Sequence, residues 1–465
     1  MKIKKLECTK DSMPFNAAIN QLVPIDLAHY GYVEEEYLFS DVANVYTLKE
    51  DGAHIKFENA PYTNRFIIRK PSDVTKCSGR IVFEILNSTN GWDVCPMWAL
   101  VWKKILRDGD IYVGLSARST CGRYLKKFDD QRYSEISWKN PNPNPGPISH
   151  DIVMWQQSVP EEEDGLVWDM ITSLTNYLKS NEGMQVTGKK VDRIYAVGTS
   201  QSAMMLITYM NVFHESTRHT FGTPCIDGYL TYSGGRMVSL NQEESPIGVE
   251  ADIQKTRNVA VPVIRVLSQW EFKYEAGHIS LRREDSDEMN DRFRLYEMAG
   301  HPHNTFMGAF YRPGFDEIAK IEKTTFFPTW PMMHLPMEMF MEQALRNLDA
   351  WVTYNVIPPR ADRIEVDSTN NEVLDEHGNC KGGFRFPQLD VPTGTYQLGN
   401  GKNPQESLFI PFSQEKLKEL YPTFKDYVYK IFARIDDLCA KNFISSEHAD
   451  QMKFDVLKAD LYRWM

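Results

Sequence analysis

Ser200 stands in the run Gly198-Thr199-Ser200-Gln201-Ser202. Before it, Arg193-Ile-Tyr-Ala-Val197 is β-prone, and after it Ala203-Met-Met-Leu-Ile-Thr-Tyr209 suits a buried helix. A serine held on a tight strand-to-helix turn exposes its hydroxyl and turns the next backbone N–H toward a bound carbonyl, which requires small residues two places before and after it. Gly198 and Ser202 fill those places, Ser202 replacing the commoner glycine while staying small. The spacing fits a nucleophile, and the competing reading is a loop in which Ser200 or Thr199 merely caps the helix.

A nucleophilic serine needs a base, and the base needs an acid to orient it. Glu271, in Ser268-Gln269-Trp270-Glu271-Phe272, follows the apolar run Val261 to Leu267 and is the first candidate acid, ahead of Glu275 and Asp285. A solvated glutamate beside Lys273 is its plain alternative. Farther on, Ala299-Gly300-His301-Pro302-His303-Asn304 breaks another β-like run and offers two imidazoles, His301 and His303. Their spacing also suits half of a metal site, but no third and fourth ligand lie nearby, so no metal is expected. Serine, acid and histidine thus occur in the order nucleophile, acid, base at three strand ends.

The elements that would position these groups alternate. Gly79 to Leu86, Asp110 to Leu115, Val191 to Val197, Cys225 to Tyr232, Val261 to Leu267 and Phe293 to Met298 read as strands. Met97 to Leu106, Val167 to Leu178 and Ala203 to Phe213 read as helices between them. Runs as apolar as Val261-Pro-Val-Ile-Arg-Val-Leu267 predict an α/β protein, a mostly parallel sheet with helices on both faces. Met337 to Tyr354 places Phe340, Ala344, Leu348 and Trp351 or Val352 on one stripe, a helix on the core that Pro358-Pro359 ends. Residues 1–75 are expected to pack on the core as an N-terminal segment, 76–360 to form the core, and 361–465 to add short β runs and two helices within the same unit.

The chain has 465 residues, of which 42% are apolar, and a net charge of -11 spread along its length. That argues for solubility and against nucleic acid as a partner. No uncharged apolar stretch approaches the roughly 20 residues of a membrane span. The first residues, with Lys2, Lys4, Lys5 and Glu7, do not resemble a signal peptide. Seven cysteines without C-x-x-C spacing suggest neither disulfides nor zinc and fit a reducing cytoplasm.

The same residues resemble the α/β-hydrolase domain family whose members carry a G-x-S-Q-S-type elbow. Val82-Phe-Glu-Ile-Leu-Asn87 and Gly109-Asp-Ile-Tyr-Val-Gly114 are similar to two of its strands, and Ser200-Gln-Ser202 with Tyr209-Met-Asn211 and Asp227-Gly228 to its nucleophile helix and next strand. Pro262 to Glu271 looks like the acid strand, with Gln269 where an acidic residue is often found. Leu348-Asp-Ala-Trp-Val352, Pro358-Pro359, Gly382-Gly383, Arg385, Pro387 and Asp390-Val-Pro392 resemble its C-terminal region. The resemblance implies an α/β-hydrolase fold and, because the family's histidine lies two residues beyond an Ala-Gly-x run, ranks His303 above His301.

Gln201 N–H is the natural first oxyanion donor, and the loop Asn87-Ser-Thr-Asn-Gly91 the source of a second, with Ser88 the favoured residue. Trp92, Trp270, Phe306, Trp330, Met332 and Met333 are candidates for a substrate pocket, or for core. Asp367 to Asn371 and Asp375 to Asn379 carry oxygen ligands but read as hairpin turns rather than calcium loops. The expected activity is serine-dependent hydrolysis of a small-molecule ester without a cofactor. An amidase or acyltransferase would use the same groups, and a non-catalytic binding protein the same fold. A homo-oligomer is compatible with the sequence and not indicated by it.

Overall fold

The computed structural model describes residues 1–149, 157–248, 252–256, 259–274, 282–322, 335–399 and 407–460. The chain divides into two compact units, one made of Met1–Val263, Glu288–Arg292 and Phe310–Phe326, the other of Ile264–Asp287, Phe293–Ala309 and Phe327–Met465.

In the first unit, β1 (Lys2–Leu6), β2 (Tyr32–Lys49), β3 (Gly52–Pro71), β4 (Arg80–Ile85), β5 (Ile111–Leu115), β6 (Arg193–Thr199) and β7 (Gly228–Tyr232) join in the order β1-β2-β3-β5-β4-β6-β7. From β5 through β4 and β6 to β7 the pairing is parallel, while β1, β2 and β3 run antiparallel. The parallel strands are buried along almost their whole length, which is why Ile81-Val-Phe and Ile194-Tyr-Ala-Val197 are apolar without alternation. Strands β2 and β3, of 18 and 20 residues, form a long twisted ribbon that extends the sheet from the N-terminal segment.

Crossover helices follow the strands as the alternation requires. Helix α1 (Pro96–Asp108) begins with proline, whose missing N–H costs nothing there. Its free amides are met by a side chain of β4: Glu84 accepts from Met97 N at 2.9 Å and Trp98 N at 2.8 Å, and from the Tyr112 hydroxyl at 2.8 Å. Burial pushes this carboxyl up to about 7 against the pull of those three bonds. The glutamate of the Val82 to Asn87 run is thus a buried cap joining β4, β5 and α1. Helix α2 (Val167–Lys179) packs by one face, and α3 (Gln201–Val212) is buried from Gln201 to Met210.

A buried ionic cluster ties β2, β3 and the loop after β4 together. Arg65 donates to Asp93 at 2.8 Å, to the Phe15 carbonyl at 2.6 Å and to Glu36, and Glu36 also accepts from Arg132 at 2.6 Å and Tyr133 at 2.9 Å. Asp93 accepts from Ser116 as well. Charges this deep are tolerable only because each is met several times over.

In the second unit, β8 (Val263–Ser268) lies beside β9 (Phe293–Met298). Helix α4 (Met337–Tyr354) buries Phe340, Ala344, Leu348 and Trp351 and ends at Asn355 in a left-handed cap. Asp367 and Asp375 both close hairpin turns, through Asp367 N to Asn371 O at 2.9 Å and Asp375 N to Asn379 O at 2.7 Å. Strands β10 (Gly394–Leu398) and β11 (Ser407–Pro411) pair antiparallel. Beyond Phe412 the pattern reads as two helices, whereas the described residues form three: α5 (Gln414–Leu420), α6 (Phe424–Ala440) and α7 (Ser446–Asp460). Pro422 breaks the first stretch, and a capping box between Thr423 and Asp426 starts the next.

Candidate active site

Ser200 links β6 to α3 with φ 57° and ψ -120°, a backbone conformation that L-residues with a side chain rarely adopt. The turn is closed on both sides, by Ser200 N donating to Tyr232 O at 2.9 Å and Met204 N donating to Ser200 O at 3.0 Å. A Cβ on Gly198 would lie 2.9 Å from the Ser202 carbonyl carbon and oxygen and 3.1 Å from Ala203 N, so only glycine fits. Ser202 does more than stay small. Its hydroxyl accepts from Thr199 N at 2.9 Å and donates to Thr199 O at 3.0 Å, bracing the turn from within.

Gln201 N is the first amide of α3. The Gln201 side chain is fixed by Ser88, whose hydroxyl donates to Oε1 at 2.7 Å, both residues being buried. Asn87 donates from Nδ2 to Thr199 O at 2.9 Å and pairs with Val94 through both backbone groups at 2.9 Å. With Asp93 held by Arg65 and Ser116, the loop after β4 is pinned at Asn87, Ser88, Asp93 and Val94. Ser88 and its neighbours therefore lie beside the Ser200 turn. Trp92, half-buried, sets its ring 5.6 Å from that of Tyr124.

Glu271 and His303, in the second unit, are joined directly: Nδ1 of His303 lies 2.9 Å from Glu271 Oε1. Glu271 is fully buried, and its other oxygen accepts from Ser268 N at 2.6 Å and Ser268 Oγ at 2.5 Å. The Trp270 ring packs on His303 with centroids 4.9 Å apart, which makes Trp270 a neighbour of the imidazole. An imidazole that donates from Nδ1 carries its basic lone pair on Nε2. The histidine turn is fixed by Gly300, whose φ of 74° and N–H bond to Gln269 Oε1 at 2.7 Å join the turns after β8 and β9. An acceptor oxygen is all this contact asks of residue 269, and glutamine supplies it.

His301 is buried as well, with its ring 6.1 Å from that of Phe386. Asp285, the weaker rival acid, accepts from Arg363 at 2.7 Å and Leu295 N at 3.0 Å. Phe306 begins a short helix, Phe306–Phe310. Trp330, Met332, Met333 and Glu275 lie outside the described residues. Among the described residues no group of three His, Cys, Asp or Glu side chains is placed to hold a metal ion, and no helix is long and apolar enough to cross a membrane.

A model of the family described as alpha/beta hydrolase domain matches residues 4–453. The chain belongs to that family. Among solved structures, this alpha/beta hydrolase is similar to a fungal esterase from Rhizomucor miehei at 9% identity, over 73% of this chain and 88% of that one, with a TM-score of 0.35. It is also similar to esterase Est22, at 11% identity over 63% and 78% with a TM-score of 0.30. A third is an alpha-beta serine hydrolase homologue from Coxiella burnetii, at 8% identity over 56% and 88% with a TM-score of 0.27. A comparison with curated proteins finds no match.

Proposed function

We propose that this alpha/beta hydrolase is a carboxylic-ester hydrolase in which Ser200 is the nucleophile, His303 the general base and Glu271 the acid that orients it. The observation that carries the reading is the backbone of Ser200: a left-handed φ over a glycine that nothing larger can replace. A helix cap needs no such strain, since cap residues sit in ordinary extended backbone, and stored strain of about 1–3 kcal/mol persists where geometry is used.

In the first step the Ser200 Oγ bonds to the ester carbonyl carbon while its proton passes to His303 Nε2. Glu271 stabilises the imidazolium through Nδ1–H, and the carbonyl oxygen takes up negative charge against the Gln201 N–H and an amide of the Ser88 loop. Collapse breaks the bond to the alcohol oxygen, which takes the proton from His303 as it leaves. Water then attacks the acyl-serine with the same base, releasing the carboxylic acid and restoring Ser200. No cofactor enters either step. The seven cysteines, all free thiols, suit a reducing compartment, and we assign the protein to the cytoplasm.

Hydrolysis of p-nitrophenyl esters of graded acyl length tests the reading. Turnover by the wild type that is lost in both Ser200→Ala and His303→Ala supports it. Turnover that survives in Ser200→Ala overturns it, and loss in His301→Ala but not in His303→Ala reassigns the base.

A further inference from the structure

We infer that Ser268 is a positioning residue that aims and charges Glu271, an inference that rests on the proposed role of that glutamate. Glutamate has one more rotatable bond than aspartate, so a carboxylate meant to present a single oxygen to an imidazole needs its other oxygen held. Ser268 does this from the end of β8. Its backbone N–H and its hydroxyl both donate to Oε2, at 2.6 and 2.5 Å, leaving Oε1 to His303 Nδ1 at 2.9 Å. Ser268 and Glu271 are both fully buried.

The two contacts have different origins. Any residue at 268 except proline would supply the N–H, whereas only serine or threonine places a hydroxyl on Cβ, where it reaches Oε2. Without it, Oε2 loses the hydroxyl bond, the carboxylate is held less firmly, and the imidazolium loses part of its fixed partner in the transition state. Hydrogen bonds to charged groups are among the stronger ones in proteins, and losing one costs roughly a factor of ten or more in rate when it acts only in the transition state.

The test uses an alkyl fluorophosphonate and the full-length chain, reading the maximal labelling rate kinact and the concentration dependence KI, with thermal unfolding as a check on folding. Ser268→Ala is expected to lower kinact about tenfold with KI unchanged, and Ser268→Thr to recover most of that loss. In a Glu271→Gln background Ser268→Ala should have no further effect, because the hydroxyl then has no carboxylate to serve. An unchanged kinact, a change confined to KI, or the same loss in the Glu271→Gln background overturns the inference. If Ser268→Ala does not fold, Ser268→Cys, a weak donor of similar size, is judged by the same criteria. A wild type that resists labelling, or a Ser200→Ala variant that is labelled, refutes the underlying nucleophile assignment instead and is distinguishable from failure at Ser268.

Discussion

Replacing Ser202 exposes how the turn at Ser200 is held. The commoner elbow has glycine in this place, so a purely steric view expects Ser202→Gly to be harmless or favourable. The structure gives the opposite answer, because the Ser202 hydroxyl both accepts from Thr199 N and donates to Thr199 O, at 2.9 and 3.0 Å, in a buried setting. Ser202→Ala leaves the Thr199 N–H without this acceptor, and an unsatisfied buried amide costs about 1–3 kcal/mol. Taking about 2 kcal/mol, local opening of the turn becomes about 30-fold more frequent. Ser202→Gly adds about 1 kcal/mol for glycine in a helix and should open more readily still. Hydrogen exchange followed by mass spectrometry on a peptide spanning β6 and the start of α3 measures this directly. Exchange in Ser202→Ala within about threefold of wild type, or Ser202→Gly better protected than Ser202→Ala, would refute the bracing role.

Two other perturbations test the frame around the turn. Arg65→Met leaves Glu36 and Asp93 buried with one cation fewer, and breaking a buried pair from one side costs about 3–5 kcal/mol, so the thermal midpoint should fall sharply and a midpoint equal to wild type would contradict the cluster's role. Burial pushes the Glu317 carboxyl up to about 8. Its unfolded value is near 4.5, so between those values the folded state binds more protons and stability falls as pH rises; stability from this group is fully present below about 4.5. Thermal midpoints taken from pH 5 to 8 should fall less steeply in Glu317→Gln than in wild type, and equal slopes would exclude Glu317 as the source.

The parts of this architecture that follow a short-range rule are visible in the residue string. The parallel strands announce themselves because both faces are buried, so Ile194-Tyr-Ala-Val197 needs no alternation to be recognised. Phe340, Ala344, Leu348 and Trp351 mark α4 by their spacing for the same kind of reason, one face of a helix against a core. Gly198 and Ser202 are legible as small residues, but the two hydrogen bonds of Ser202 are not, since a steric rule says nothing of what a hydroxyl touches. Strands β2 and β3 escape the sequence reading although Tyr37-Leu-Phe39 and Phe66-Ile-Ile68 lie in them, because charged residues such as Glu36 and Arg65 interrupt the apolar pattern. Those charges are buried in the ionic cluster and satisfied by groups far away in sequence, Asp93 and Arg132 among them. Long-range polar contacts of this sort leave no periodic signal. Glu84 is the same case on a smaller scale: as a residue of a strand it looks misplaced, and only the amides of α1 and the Tyr112 hydroxyl explain it. At the proposed site, a strand end and a Gly-Pro turn single out Glu271 and His303, while the roles of Asn87, Ser268 and Gln269 depend on contacts that only the folded chain displays.

Chemistry at the turn depends on Ser200 acting as a nucleophile and not as a helix cap. Incubating the wild-type protein with an alkyl fluorophosphonate, digesting it, and locating the added mass by tandem mass spectrometry tests this without knowledge of the substrate. One covalent adduct is expected on the Ser200 hydroxyl, formed slowly or not at all after His303→Ala. An unmodified Ser200 peptide under conditions that label an active serine esterase, or an adduct on a different serine, would contradict it.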